Sequence, residues 1–385
     1  MSLNEPSVPG RVRELAAAPW TAMADDLDLL VSTETPSEDL AACAAGADVV
    51  DALGERLLGE QAERVVVDGR THLRWRWSPG PSGRAVALIG HYDTVWPLGT
   101  LGRWPFSVDI GAGTATGPGC FDMKAGVVQM FHAVAALEDR AGVELLVTAD
   151  EELGSLTSRS LVEEAGRRAD AALVLEAAAA GAVKTGRKGA GMYRIEVTGL
   201  AAHAGLEPHL GANALVGLTH VVQALDALGR PDVGTTVTPT VARAGTATNV
   251  VPAFAVVEAD VRVLDPAEWD RVDAAVRALE PVVPGTTLTV RGELNRPPLP
   301  VASSAPLFAL ATVLADGLGL PALESRVVGG ASDGNLTAAV GCPTLDGLGA
   351  VGDGAHAEGE YVRLAAMPQR AALVAALVEN LLLSR

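Results

Sequence analysis

Three short apolar runs constrain this chain more than anything else in it. Residues 85–89, 143–149 and 171–175 each read as a strand buried on both faces, and each stops abruptly at histidine or acid. Such runs, with little polar alternation, are typical of parallel strands covered by helices on either side. Helical periodicity lies between them: residues 125–139 put Val127, Met130, Phe131, Val134 and Leu137 on one side. Strand, helix, strand, helix, strand predicts an α/β fold, a doubly wound and mostly parallel sheet. Upstream, residues 11–60 read as helical, interrupted at Thr35-Pro36-Ser37, with Ser37 and Glu38 opening the second helix. Residues 64–67 and 71–77 read as strands of a hairpin turning at Asp68-Gly69.

The pattern changes near residue 189. Residues 192–198 alternate with period two, a helix follows over 213–228, then strands over 235–243 and 253–263. A helix over 266–279 and a strand over 286–293 complete a β-α-β-β-α-β order, which predicts an inserted α+β, ferredoxin-like domain. Arg296-Pro297-Pro298-Leu299-Pro300 reads as the return linker. The expected division is 1–188 for the first part of the main domain, 189–297 for the insert and 298–385 for the second part. A length of 385 residues, too great for one ordinary core, agrees with two domains.

Charge and cysteine content narrow the function classes. The net charge is −18 and no Lys/Arg cluster breaks it, which argues against a nucleic-acid partner. No stretch reaches roughly 18 uninterrupted apolar residues, so no membrane span is expected. The first twenty residues lack a basic head followed by an apolar run, so a cytoplasmic protein is the expectation. Cys43, Cys120 and Cys342 are odd in number and form no C-x-x-C pair, and packing is the role expected for them.

The chemistry sits where the buried runs end. Residues 85–89 run into Gly90-His91-Tyr92-Asp93, residues 143–149 into Asp150-Glu151-Glu152, and residues 171–175 into Glu176. In an open α/β sheet the carboxyl ends of parallel strands share one rim, where ligands bind. His91 with Asp93 suits a metal ligand and the carboxylate that orients it, or equally a capping Asp beside a satisfied histidine. Asp122, in a glycine-rich loop entering a helix, could cap that helix or bridge two metals about 3.5–4 Å apart. Glu151 and Glu152 suit a split of labour, Glu152 as ligand and Glu151 as proton acceptor. The plainer alternative is two exposed acids at a helix start. Glu176 ends an apolar strand with no obvious ion-pair partner nearby, which is costly without a cation. His356 lies in a flexible glycine-rich stretch that carries little information alone.

Taken in order, these motifs resemble the M20 metallopeptidases, the group of glutamate carboxypeptidase, aminoacylase, acetylornithine deacetylase and succinyl-diaminopimelate desuccinylase. The matching segments are His91-Tyr92-Asp93-Thr94-Val95, Gly117-Pro118-Gly119 leading to Asp122-Met123-Lys124-Ala125-Gly126, and Asp150-Glu151-Glu152-Leu153-Gly154-Ser155. Glu176, Ala202-His203-Ala204-Gly205, Asn249-Val250-Val251-Pro252, Asp260-Val261-Arg262 and His356 continue the match. Glu176 with Arg187-Lys188-Gly189 looks most like the glutamate carboxypeptidase branch. The resemblance implies a catalytic domain holding two Zn²⁺ and an inserted lid and dimerisation domain, hence a homodimer. It implies that Asp122 bridges the metals, with His91 and Glu176 on one, Glu152 and His356 on the other, and a peptide bond after Asp122 that is often cis. Asp93 would orient His91, Glu151 would be the general base, His203 would reach the scissile carbonyl, perhaps from a partner subunit, and Asn249 and Arg262 would hold a substrate carboxylate. Mn²⁺ or Co²⁺ would suit the same nitrogen and oxygen ligands. His72, His132, His209 and His220 match no motif and are expected to be structural.

The expected activity is hydrolysis of an N-acyl amino acid or dipeptide carrying a free carboxylate. The rivals are a deacetylase or desuccinylase of the same family and a non-catalytic binder of amino-acid derivatives.

Overall fold

Strand β3 (Val86–His91) lies inside a six-stranded sheet and is buried along its whole length. Its neighbours are β4 (Val143–Thr148) and β5 (Ala171–Val174), both parallel to it. Beyond β5 the short strand Thr344–Leu345 continues in parallel. Beyond β4 the hairpin of β1 (Glu63–Val67) and β2 (Arg70–Arg76) adds two antiparallel strands. That hairpin turns at Asp68 and Gly69 with φ of 49° and 81°, the left-handed pair that an Asp-Gly turn requires. The doubly wound reading is visible in β3 itself. Val86 and Leu88 pack into one apolar cluster with the helices Leu40–Leu58, Ala125–Ala135 and Ala366–Leu383, while Ala87 and Ile89 pack into another with Val162 and Leu336. Alternate side chains of one strand therefore feed cores on opposite faces.

The structure is a computed structural model describing residues 6–383, and the chain divides into two compact units. The first runs to Gly186 and resumes over Leu299–Val328 and from Ser332; the second is Arg187–Pro298 with Gly329–Ala331. In the second unit β6 (Gly189–Thr198), β7 (Thr236–Ala244), β8 (Phe254–Val263) and β9 (Thr287–Arg296) form an antiparallel sheet in the order β7-β8-β6-β9. The helices Ala214–Asp226 and Pro266–Arg277 supply Leu218, Val221, Leu225, Val272 and Val276 to its core, against Tyr193, Ile195 and Val197. The β-α-β-β-α-β order is as read from the sequence.

Several local expectations need correction. The helix expected over 125–139 ends at Ala135. The helix after Pro36 begins at Leu40, capped by Asp39, whose carboxylate accepts from Ala42 N at 2.9 Å. Ser37 does not open it, because its hydroxyl donates to Asp93 Oδ2 at 2.7 Å instead. The short strands Ser107–Asp109 and Thr114–Thr116 have no counterpart in the sequence reading. Cys43, Cys120 and Cys342 are all buried and unpaired, as packing residues would be. Helix Ala366–Leu383 is long and apolar enough to cross a membrane by length and composition, yet it buries Met367, Pro368 and every residue from Arg370 to Val378 in the manner of a core helix.

Candidate metal centre

The three central parallel strands end on one rim and deliver their polar residues there. His91 is the last residue of β3, Glu151 and Glu152 follow β4 in a single helical turn, and Glu176 stands two residues beyond β5. Asp122 comes from the loop before helix Ala125–Ala135, where Gly117 and Gly119 have φ of 154° and 73°. A Cβ on Gly119 would lie 2.4 Å from Thr94 Cγ2, so the loop approaches the β3 end too closely for any other residue. The Asp122–Met123 peptide bond is cis. His356 has φ of 61° and lies between Gly354 and Gly359, both left-handed.

Asp122 stands between two imidazoles. Its Oδ1 is 3.5 Å from His91 Nε2 and its Oδ2 is 3.4 Å from His356 Nε2. Each imidazole has a second carboxylate: Glu176 Oε1 lies 3.5 Å from His91 Nε2, and Glu152 Oε2 lies 3.2 Å from His356 Nε2. Glu151 joins the cluster, offering a carboxylate oxygen within 4.8 Å of His91 and Glu176. The five residues expected as ligands are thus brought together.

The donor set fits divalent metal. His91 Nε2 is fully buried and makes no hydrogen bond, although two carboxylate oxygens stand 3.5 Å away. A buried polar atom without a partner is costly, and a cation shared with those oxygens removes the cost. Ligand bonds of about 2.0–2.1 Å in a tetrahedron give edges of roughly 3.3–3.5 Å, close to the separations seen around both imidazoles. The electrostatics agree. Burial opposes protonation of His91, yet Asp122, Asp93 and Glu176 raise its pKa well above the ordinary value. Asp122 and Glu152 push His356 up to about 10. Both rings are held where positive charge is wanted.

Asp93 organises the centre from beneath. His91 Nδ1 lies 3.0 Å from the Asp93 carbonyl oxygen and 3.4 Å from its Oδ1. The same carboxylate accepts from Ser37 Oγ and from the backbone amides of Glu151 and Glu152, both at 3.2 Å. One buried acid therefore fixes the end of β3 relative to the turn that follows β4. Burial works against its ionisation, but these bonds hold its carboxyl below the ordinary range.

Other residues of the site escaped the sequence reading. Lys184 Nζ lies 3.8 Å from Glu176 Oε2, so Glu176 does have an ion-pair partner, eight residues along in sequence. Glu360 is fully buried and accepts from Gly119 N and, at 3.2 Å, from Trp96 Nε1, which anchors the Asp122 loop. His72 is fully buried. Its Nδ1 accepts from Ala149 N at 3.3 Å, which leaves Nε2 as the donor to Thr157 Oγ1 at 3.0 Å. Thr157 and Ser158 in turn donate to the buried Asp150, at 2.8 Å and 2.6 Å from their hydroxyls. Replacing His72 with Phe is expected to lower kcat by about tenfold with KM within twofold, because this chain holds the Glu151-Glu152 turn. Steady-state kinetics together with metal content measured on the same preparation check it.

The second unit holds the other expected residues. His203 Nδ1 accepts from the amides of Gly205 and Leu206, both at 3.1 Å, so its proton sits on Nε2 and that nitrogen is a donor. Asn249 is adjacent, its backbone carbonyl accepting from Ala204 N at 2.9 Å. Arg262 is committed within its own strand: Nε and Nη2 donate to Asp260 at 2.9–3.2 Å. The fork expected for a substrate carboxylate is made here with Asp260, because residues two apart on a strand share a face.

Residues 87–380 match the profile of Peptidase family M20/M25/M40. Carboxypeptidase G2 of Pseudomonas sp. (strain RS-16) is 30% identical over 379 residues, covering 94% of this chain and 89% of that protein. A succinyl-diaminopimelate desuccinylase of Methylorubrum extorquens is 30% identical, covering 76% and 82% respectively. Among solved structures, the aminopeptidase PepT of Bacillus cereus superposes with a TM-score of 0.74 at 21% identity, covering 96% of this chain and 98% of that one.

Proposed function

The chain belongs to peptidase family M20/M25/M40, and from that premise we propose that it hydrolyses an amide bond in a small substrate with a free carboxylate, as a two-zinc enzyme. The observation that carries this reading is Asp122, whose two oxygens face two separate imidazoles, each with its own second carboxylate. That arrangement supports a bridging carboxylate between two metal subsites, one of His91 and Glu176, the other of His356 and Glu152. When bound, the metals supply Lewis-acid polarisation of the scissile carbonyl and make water more acidic. Glu151 accepts the proton of the attacking water and returns it to the leaving nitrogen. Asp93 fixes the ring of His91 and the backbone of Glu151 and Glu152.

The roles in the second unit follow the resemblance. His203 donates to the developing oxyanion, a role its Nε2–H tautomer supports. Asn249 and Arg262 hold the substrate carboxylate, and for Arg262 this requires sharing its guanidinium with Asp260. A homodimer formed through this unit belongs to the same reading.

The test is a hydrolysis panel of N-acyl amino acids and dipeptides with added Zn²⁺, Mn²⁺ or Co²⁺. Release of glutamate or aspartate from acylated forms is the expected result. Silence across the panel would favour a binder of amino-acid derivatives.

A further inference from the structure

A cavity of about 960 Å³ opens beside Glu152, between residues 36–41, 94–98 and 152–153 of the first unit. Leu40, Val95, Pro97, Leu98 and Leu153 line it. Leu40, Val95 and Leu98 are left 43%, 43% and 55% exposed. Large apolar side chains gathered around a concavity, next to reactive groups, mark a ligand surface rather than scattered exposure. The wall is also tied to the metal site. Thr94 N donates to Thr35 O at 2.8 Å and Ser37 N to Thr94 O at 3.0 Å, so the segment continuing from His91 and Asp93 is clamped to the opposite lip.

The charges decide which part of a substrate fits. Glu38 and Asp39 line the cavity beside Glu152, which the metal reading commits as a ligand, and among the described residues no Lys or Arg lines it. A free carboxylate laid against this wall, away from the metals, would face Glu38 and Asp39, so the cavity suits the other half of the molecule. An acyl group bearing a second carboxylate, such as succinyl, meets the same repulsion. Resting on the hydrolase reading above, we infer that this cavity receives the acyl portion of the substrate, and that this portion is neutral and apolar.

The test compares N-phenylacetyl-, N-acetyl- and N-succinyl-glutamate on the zinc-loaded protein. The wild type is expected to favour phenylacetyl over succinyl by at least about tenfold in kcat/KM. Leu98→Arg, which removes apolar wall and adds a cation, is expected to lower that ratio about tenfold, and the milder Leu98→Ala about threefold. Equal or better cleavage of the succinyl form by the wild type, or a ratio unmoved by both variants, would overturn the inference. Calorimetric titration of zinc-loaded Glu151→Gln protein with the phenylacetyl and succinyl compounds reads the same preference without turnover. If nothing is cleaved but phenylacetyl binds about tenfold more tightly, the hydrolase reading fails and the cavity assignment stands; equal binding overturns the assignment.

Discussion

In the Glu151→Gln variant, kcat is expected to fall by about 10³-fold or more while the protein keeps its wild-type metal content. The two outcomes separate because Glu151 and Glu152 have different duties. Glu152 faces His356 at 3.2 Å, as a ligand would. Glu151 stands beside the His91 side of the cluster, and its backbone amide is anchored to Asp93 at 3.2 Å. Glutamine preserves the shape and that amide bond but cannot accept a proton, and proton transfer by a positioned group is worth about 10²–10⁴-fold. The upper part of that range is expected because the same group would serve twice, toward water and toward the leaving nitrogen. Single-turnover kinetics with metal analysis on the same sample measure both quantities. Turnover equal to wild type would remove Glu151 from the base role, and loss of metal would make it a ligand.

Removing metal is expected to abolish activity and to lower thermal stability as well. Asp122, Glu152 and Glu176 converge on the imidazoles of His91 and His356, and once the cations leave the repulsion among the acids is offset only by protons taken up on those rings. An ion present about 1,000-fold above its Kd stabilises the folded state by about 4 kcal/mol, and chelation withdraws that contribution. A melting point lower in chelator by several degrees, restored by zinc and not by magnesium, is the expected result. Nitrogen ligands on each side of the bridge account for the selectivity, since magnesium prefers oxygen. Differential scanning calorimetry with and without chelator checks it, and an unchanged transition would argue against a site that holds metal in the folded state.

How much of this was legible in the sequence depended on the range of the interactions. The parallel strands were legible because burial on both faces leaves a near-continuous apolar run, and their ends pointed to His91, Glu152 and Glu176 without any structure. The insert was legible from its change to period-two alternation near residue 189. Contacts between distant segments were not legible. Ser37 read as a helix opener, yet its partner is Asp93, 56 residues on. His72 and Thr157 are 85 residues apart, and Gly119 and Glu360 are 241 apart, with no local pattern that links them. His356 sits in a loop whose positive φ and glycines define no periodic element, so only the family resemblance singled it out. Arg262 shows the converse: the resemblance named it, while its pairing with Asp260 follows from the two-residue spacing and was not drawn.

The central claim is that one bridging carboxylate, Asp122, joins two metal subsites into a hydrolytic centre. Zinc titration of metal-free protein tests it most directly, with N-acylglutamate hydrolysis and bound zinc followed together. Activity that saturates at two equivalents per chain in the wild type, with Asp122→Ala retaining less than one equivalent and no activity, is the predicted result. Full activity at one equivalent, or two equivalents still bound by Asp122→Ala, would contradict it.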